Sequence, residues 1–110
     1  KNSCTAWVNF DGTTTPPTIR DSFNVSDVVR TTTGDFDIVH SVQMDNATQT
    51  VCGSNQLQIG GEGTMVLQST AGNTVDKTSI SVGVPGTAGG TSLTKRNMEY
   101  NLIQIFGGKN

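Results

Sequence analysis

Where this chain shows a hydrophobic pattern, apolar and polar residues alternate with a period of two. In residues 19–25 and 36–42, apolar or aromatic side chains fall mostly on every second position, with His40 standing where another is expected. Alternate side chains of an extended chain point to opposite faces, so both segments predict half-buried strands. No segment shows helical spacing over a dozen residues. Further predicted strands cover residues 4–10, 48–52, 57–59, 64–68, 78–84 and 98–106.

Short polar segments containing Gly, Asn, Asp or Pro separate the predicted strands, as at Asp11-Gly12 and Thr33-Gly34. Eight or so short strands joined by such turns predict an all-β fold, an antiparallel β-sandwich of the jelly-roll or Greek-key kind. A length of 110 residues favours a single domain over residues 1–110. Residues 13–17, which include two prolines, form a long, stiff connection that we expect to project.

Composition excludes several classes of partner. Charged residues make up 15% of the chain and the net charge is −2, so there is no electrostatic footprint for nucleic acid. Apolar runs such as residues 65–67 are far shorter than a membrane span, so membrane insertion is not expected. Aromatic residues make up only 5% of the chain, which predicts a thin core or subunits that share one.

Several segments have a familiar order. The chain reads AWVNF at residues 6–10, DGT at 11–13, IRDSFNVS at 19–26, GDFDI at 34–38 and IFG at 105–107. In these segments it resembles the distal, C-terminal domain of bacteriophage tail fibres. The resemblance covers the first forty residues or so and the last six, and it is weak between them.

The resemblance implies a non-enzymatic virion component that assembles in the host cytoplasm as a homotrimer. We expect it to be the C-terminal part of a longer fibre polypeptide, with other tail proteins upstream. Its implied partner is a host surface polysaccharide, lipopolysaccharide or outer-membrane protein. Two alternatives stay open: a structural fibre or decoration protein of capsid or tail that reads no receptor, and a small polysaccharide-degrading domain.

Subunit contacts are predicted where a strand is apolar on the side away from its own core. Trp7 points away from Ala6, Val8 and Phe10 if those three face the core. The final predicted strand is apolar on both sides and therefore needs cover on both. We predict an interface that contains Trp7, Tyr100, Ile103 and Ile105.

Two Gly-rich loops are the candidate receptor-binding tips, because recognition is often placed on loops held by a rigid scaffold. Neutral, hydroxyl-rich loops also suit hydrogen bonding to sugars, although plain hairpin loops without a task are an equal alternative. The predicted contact residues are Gly61, Glu62, Gly86, Thr87, Gly89 and Thr91.

Candidate catalytic and metal-binding chemistry is sparse. No catalytic residue, metal or cofactor is predicted, because there is one His and no nucleophile motif. His40 is interpreted as a hydrogen-bonded core or rim residue. Asp35 and Asp37 could share a calcium ion from one strand face, but solvated aspartates are the stronger default. Cys4 and Cys52 are interpreted as free, buried thiols, with a single bridge as the alternative.

Overall fold

A computed structural model describes residues 4–56, 65–68, 72–85 and 93–110 of the chain. Within these residues the regular structure is almost entirely β, and no α-helix is present. The strands are β1 (Cys4–Asp11), β2 (Thr18–Phe23), β3 (Val25–Thr32), β4 (Asp35–His40), β5 (Gln49–Gln56), β6 (Met65–Gln68), β7 (Lys77–Pro85), β8 (Leu93–Lys95) and β9 (Tyr100–Gly107).

The strands form two antiparallel sheets that pack face to face, which confirms the predicted β-sandwich. The first sheet has the order β2-β1-β9-β5. The second has the order β3-β4-β7-β6, and β8 also pairs with β7. The chain crosses between sheets at β2–β3, β4–β5 and β5–β6, and β9 returns to lie between β1 and β5. The first and last strands are thus hydrogen-bonded neighbours.

The core lies between the sheets and consists of side chains from alternate strand positions. In β1 the buried residues are Ala6, Val8 and Phe10, and in β4 they include Phe36 and Ile38. The rings of Phe10 and Phe36 meet edge to face with centroids 5.1 Å apart, which joins the two sheets near one end of the sandwich. Two buried phenylalanines in a mostly aliphatic core agree with the low aromatic content.

Asn24 forms the corner at which the chain leaves the first sheet and enters the second. Its φ is 55°, a left-handed conformation that Asn tolerates better than most residues. The side chain closes the corner, since Oδ1 accepts from Val42 N at 2.7 Å and Nδ2 donates to Thr5 O at 3.3 Å. The backbone carbonyl of Asn24 also accepts from Ser41 N. The corner is therefore fixed by hydrogen bonds to two other segments.

This corner corrects the prediction of one strand over residues 19–25. Phe23 and Val25 were expected on one face, but Phe23 is 54% exposed while Val25 is buried in the core. The left-handed residue between them turns the chain, so the period of two does not continue through it. Val42 was expected in the core, yet it is 64% exposed because β4 ends at His40.

Two strands were missed by the sequence pattern, and one predicted strand is not tested. The sequence pattern gave no indication of most of β3 or of β8, which lie in segments where polar residues dominate. The predicted strand over residues 57–59 lies outside the described residues.

The loop of residues 13–17 is exposed, but it is not a free projection. Arg30 of β3 donates to the carbonyls of Gly12 and Thr14 at 2.9 and 2.8 Å and to Thr15 Oγ1 at 2.6 Å.

We predict that Asn24→Ala lowers the free energy of unfolding by about 2–3 kcal/mol, because it loses both the corner hydrogen bonds and the tolerance for positive φ. Asn24→Gly keeps the backbone conformation and loses only the side-chain bonds, so its cost should be about 1 kcal/mol smaller. Urea unfolding of the three proteins measures both values. An Asn24→Ala protein as stable as the wild type would show that the corner is not a structural constraint.

Candidate functional site

The outward side of the first sheet carries a row of large apolar side chains, which we call the outer aromatic face. Phe23, Tyr100 and Leu102 are 54%, 42% and 39% exposed, and Trp7 and Phe106 are half-buried. Monomeric proteins seldom expose such a contiguous apolar patch without a binding role. The outer aromatic face is therefore the candidate functional surface of the described residues.

Strand register brings these side chains together from three strands. Trp7 of β1 lies opposite Phe23 of β2 on one side and Gln104 of β9 on the other. Leu102 of β9 lies opposite Asn9 of β1, so it projects on the same side as Trp7. Side chains directly opposite each other in antiparallel strands stand about 5 Å apart and pack as pairs. Trp7 and Phe23 form such a pair, and Leu102 is a diagonal neighbour of Trp7, with the polar Asn9 and Gln104 beside them.

Burial in β9 corrects half of the predicted interface. Ile103 and Ile105 are 0% exposed and pack in the core with β1 residues such as Val8. The prediction that they contact another subunit is wrong because their own chain already covers them completely. Trp7 and Tyr100 do lie on the outward side, whereas Met98, which was expected on the same side as Tyr100, is buried before β9 begins.

Arg20 borders the outer aromatic face, and a bulge in β2 places it there. Asn9 pairs with Asp21 and Phe10 pairs with Ile19, which leaves Arg20 as the extra residue. Bulges commonly re-aim a side chain in this way. The guanidinium lies 4.6 Å from the centroid of the Tyr100 ring and donates to Asn9 Oδ1 and to the carbonyl of Glu99, at 3.2 and 2.7 Å. The position of the Tyr100 ring is thereby stabilised by a cation–π contact.

The outward side of the second sheet has the opposite character. Asp35 Oδ1 accepts from Ser81, and its Oδ2 accepts from Lys95 at 2.8 Å and from Thr32 at 2.6 Å. Asp37 accepts from Lys77 and Ser79 at 3.0 and 2.7 Å. Asp35 and Asp37 do share one face, as predicted. Each carboxylate, however, has its own lysine, and the pair is satisfied without an ion.

These partners change the acidity of Asp35. Partial burial raises the pKa of its carboxyl, but the hydrogen bonds from Lys95, Ser81 and Thr32, together with the charge of Lys95, outweigh burial and lower the pKa to about 2. The ionised form of the Asp35 carboxyl is therefore more stable in the folded chain than in the unfolded one.

His40 is a hydrogen-bonded core residue, as predicted. It is 6% exposed, with Nδ1 3.2 Å from the carbonyl of Val75 and Nε2 2.9 Å from Thr78 Oγ1. Thr78 in turn donates to Gln49 Oε1. Burial lowers the pKa of His40, and the charge of Lys109 acts in the same direction. The Val75 carbonyl and the charge of Asp76 oppose them, and the net shift is downward. This chain of bonds joins β4, β7 and β5 across the interior.

Both cysteines are free, as predicted, but they are not both buried. Cys4 is half-buried, and Cys52 is exposed on β5. The two strands are separated by β9, so the backbones at Cys4 and Cys52 are at least two strand spacings apart, roughly 10 Å. That separation is too large for a disulfide without movement of the backbone. Cys52 lies opposite Gln104 and so shares the outward side of the sheet with Trp7.

All six predicted receptor-contact residues lie outside the described residues: Gly61, Glu62, Gly86, Thr87, Gly89 and Thr91. The strands that precede them are described. β5 ends at Gln56 opposite Tyr100, and β7 runs past the Ser81–Asp35 pair to Pro85. Both strands therefore run towards the Phe10–Phe36 end of the sandwich.

Comparison with protein-family models, with curated proteins and with solved structures finds no match. Across residues 4–56, 65–68, 72–85 and 93–110, no three His, Cys, Asp or Glu side chains come together as a possible metal site. The same part of the chain contains no helix long and apolar enough to cross a membrane.

We predict that stability falls with acid because of Asp35. Its pKa is lower in the folded chain, about 2, than the ordinary value of 3.8, so its contribution is present above pH 4 and is lost as the pH falls towards 2. Asp35→Asn should cost about 1 kcal/mol of unfolding free energy at pH 7. At pH 2 that difference should be nearly absent.

Urea unfolding of both proteins between pH 2 and pH 7 measures this effect. Ser81→Ala is the companion variant, since it removes one hydrogen bond to Asp35 and keeps the carboxyl. It should show a smaller pH-dependent difference of the same sign. A cost of Asp35→Asn that is equal at pH 2 and pH 7 would contradict the role assigned to the ionised carboxylate.

Proposed function

We propose that this chain is the distal domain of a bacteriophage tail fibre and mediates attachment to the bacterial host surface as a homotrimer. The observation that carries the proposal is the place of the resembling segments in the fold. Residues 6–10 lie in β1, residues 19–26 form the β2–β3 corner, residues 34–38 open β4, and residues 105–107 end β9. They are thus neighbouring parts of one framework.

The outer aromatic face supports assembly of several copies. Its exposed Phe23, Tyr100 and Leu102 gain free energy when they leave water, at about 25 cal/mol per Å² of apolar surface. Among the described residues, the outward side of the second sheet offers a smaller gain, because its carboxylates have lysine partners and its one large exposed apolar side chain is Val29. Of the two sheet faces, the aromatic one is therefore the better subunit contact, with Trp7 and Tyr100 in it.

Receptor contact is assigned to a different kind of feature, the two Gly-rich loops that the sequence predicts around Gly61 and Thr87. The described strands before both loops run to the Phe10–Phe36 end of the sandwich. In a trimer each loop would occur three times, and linked weak contacts gain affinity through effective concentration. Assembly through the apolar face and recognition through the polar loops use different residues, so different substitutions can test them separately.

We predict that the purified chain has a native mass three times its 11.6 kDa, measured by light scattering after gel filtration. Leu102→Lys should weaken association at least a hundredfold, because assembly would bury an unpaired charge. Trp7, the only tryptophan, should then emit at longer wavelength as water reaches it. The matched control is Val29→Lys, since Val29 is 43% exposed on β3 of the other sheet and should leave the mass unchanged.

A monomeric wild-type chain, or equal effects of the two lysine variants, would show that the outer aromatic face is not the subunit contact. Attachment could still hold in that case, because an upstream segment could supply assembly. The second experiment therefore tests attachment itself.

We predict that deleting this domain from a phage that encodes it lowers the adsorption rate on host cells more than tenfold. Substitutions Thr87→Arg and Thr91→Arg should lower adsorption with the native mass unchanged, whereas Val29→Lys should leave adsorption intact. Unchanged adsorption after deletion would instead favour a structural or decoration role. Release of reducing ends from host polysaccharide by the purified chain would favour the enzymatic alternative.

A further inference from the structure

A second apolar feature lies at the end of the sandwich away from the Phe10–Phe36 contact. It is an open groove of about 550 Å³ between the β2–β3 corner, the start of β1, the segment after β4 and the C-terminal segment, and we call it the end groove. Its walls include Phe23 and Val42, 54% and 64% exposed, and Lys109 stands at its border. The volume falls within the ~300–1,000 Å³ of ligand-binding clefts.

The walls of the end groove are held in place by hydrogen bonds rather than by loose loops. Asn24 ties the corner to Val42 and to Thr5, and its carbonyl holds Ser41. The C-terminal segment is fixed next to them, since Gly108 N donates to the carbonyl of Thr48 and the Gly108 carbonyl accepts from Asp45 N, both at 2.7 Å. A groove built on such a frame loses little conformational freedom when a ligand enters.

Lys109 gives the groove its charge. The ion pairs among the described residues join Arg20 to Asp11, Lys77 to Asp37 and Lys95 to Asp35, and Lys109 takes part in none of them. Lys109 thus has no ion-pair partner among the described residues, and its ammonium group is available to an anionic ligand in the groove. Apolar walls with one unpaired cation at the border match a ligand that is apolar along its length and anionic at one end.

We propose that the end groove binds a small amphiphilic carboxylate, with its hydrocarbon body between Phe23 and Val42 and its carboxylate at Lys109. A carboxylate fits better than a phosphate because one ammonium balances a single negative charge, and phosphate sites generally gather several cations or backbone N–H groups. Ser41 lies on the same groove and offers a hydroxyl as a second donor. The end groove shares Phe23 with the outer aromatic face, but its binding of a ligand does not depend on attachment to a host.

Octanoate is a suitable probe, with octanol as its uncharged counterpart of equal chain length. In two-dimensional NMR titrations of the whole chain, octanoate should shift the amide signals of Asn24, Val42 and Lys109. Octanol should bind about fivefold more weakly, because a partly exposed ion pair contributes modestly. Lys109→Gln should weaken octanoate by the same factor, and Lys109→Arg should restore it.

A hydrophobic control separates the end groove from other apolar surface. Val42→Asp should abolish octanoate binding, whereas Val29→Asp, at an exposed valine of β3, should not. His40 gives an independent readout. The charge of Lys109 lowers the pKa of His40, so a bound carboxylate should raise that pKa and octanol should not.

The proposal is overturned if octanoate shifts signals of Tyr100 and Leu102 instead of the groove, if octanol binds equally well, or if neither binds at millimolar concentration. None of these outcomes bears on adsorption to host cells, so failure of the end groove and failure of the proposed function are distinguishable.

Discussion

The antiparallel register of β1 against β9 is the constraint on which the other features depend. It places Val8 opposite Ile103 inside the sandwich and Asn9 opposite Leu102 outside it. A shift of one residue would exchange the two sides of a strand, sending its core residues to solvent and Trp7 into the interior. Core formation and the outer aromatic face are therefore two results of one pairing. Because β1 and β9 are the first and the last of the described strands, the residues between them must be synthesised before either result exists.

The outward faces of the two sheets differ in polarity. On the second sheet, Asp35 and Asp37 each have a lysine partner and hydroxyl donors. Covering that surface with another subunit would cost free energy, because the charged groups would lose their contact with water. On the first sheet, Leu102 and Tyr100 expose large apolar side chains to water, and the Tyr100 ring is in contact with the Arg20 guanidinium. Because the two outward faces differ in this way, association through the first sheet is favoured over association through the second. A uniformly polar surface would show no such preference.

The two ends of the sandwich also differ. At one end Asn24 and the C-terminal segment are fastened by hydrogen bonds and enclose an apolar groove beside Lys109. At the other end Arg30 fastens the proline-containing turn from across the sandwich. A frame held at both ends suits a domain that must present loops in fixed positions, which is the physical requirement of the attachment role that we propose.

The sequence by itself determined the all-β class, the alternation of β1 and β4, the buried His40 and the outward direction of Trp7, because a period of two is a local property of the chain. It did not reveal the corner at Asn24, since a single left-handed residue breaks the alternation without changing the composition. Nor could it place Ile103 in the core rather than at a subunit contact, because both environments select the same apolar side chains. Only the tertiary structure decided those points, by showing which partner strand and which opposing sheet cover each face.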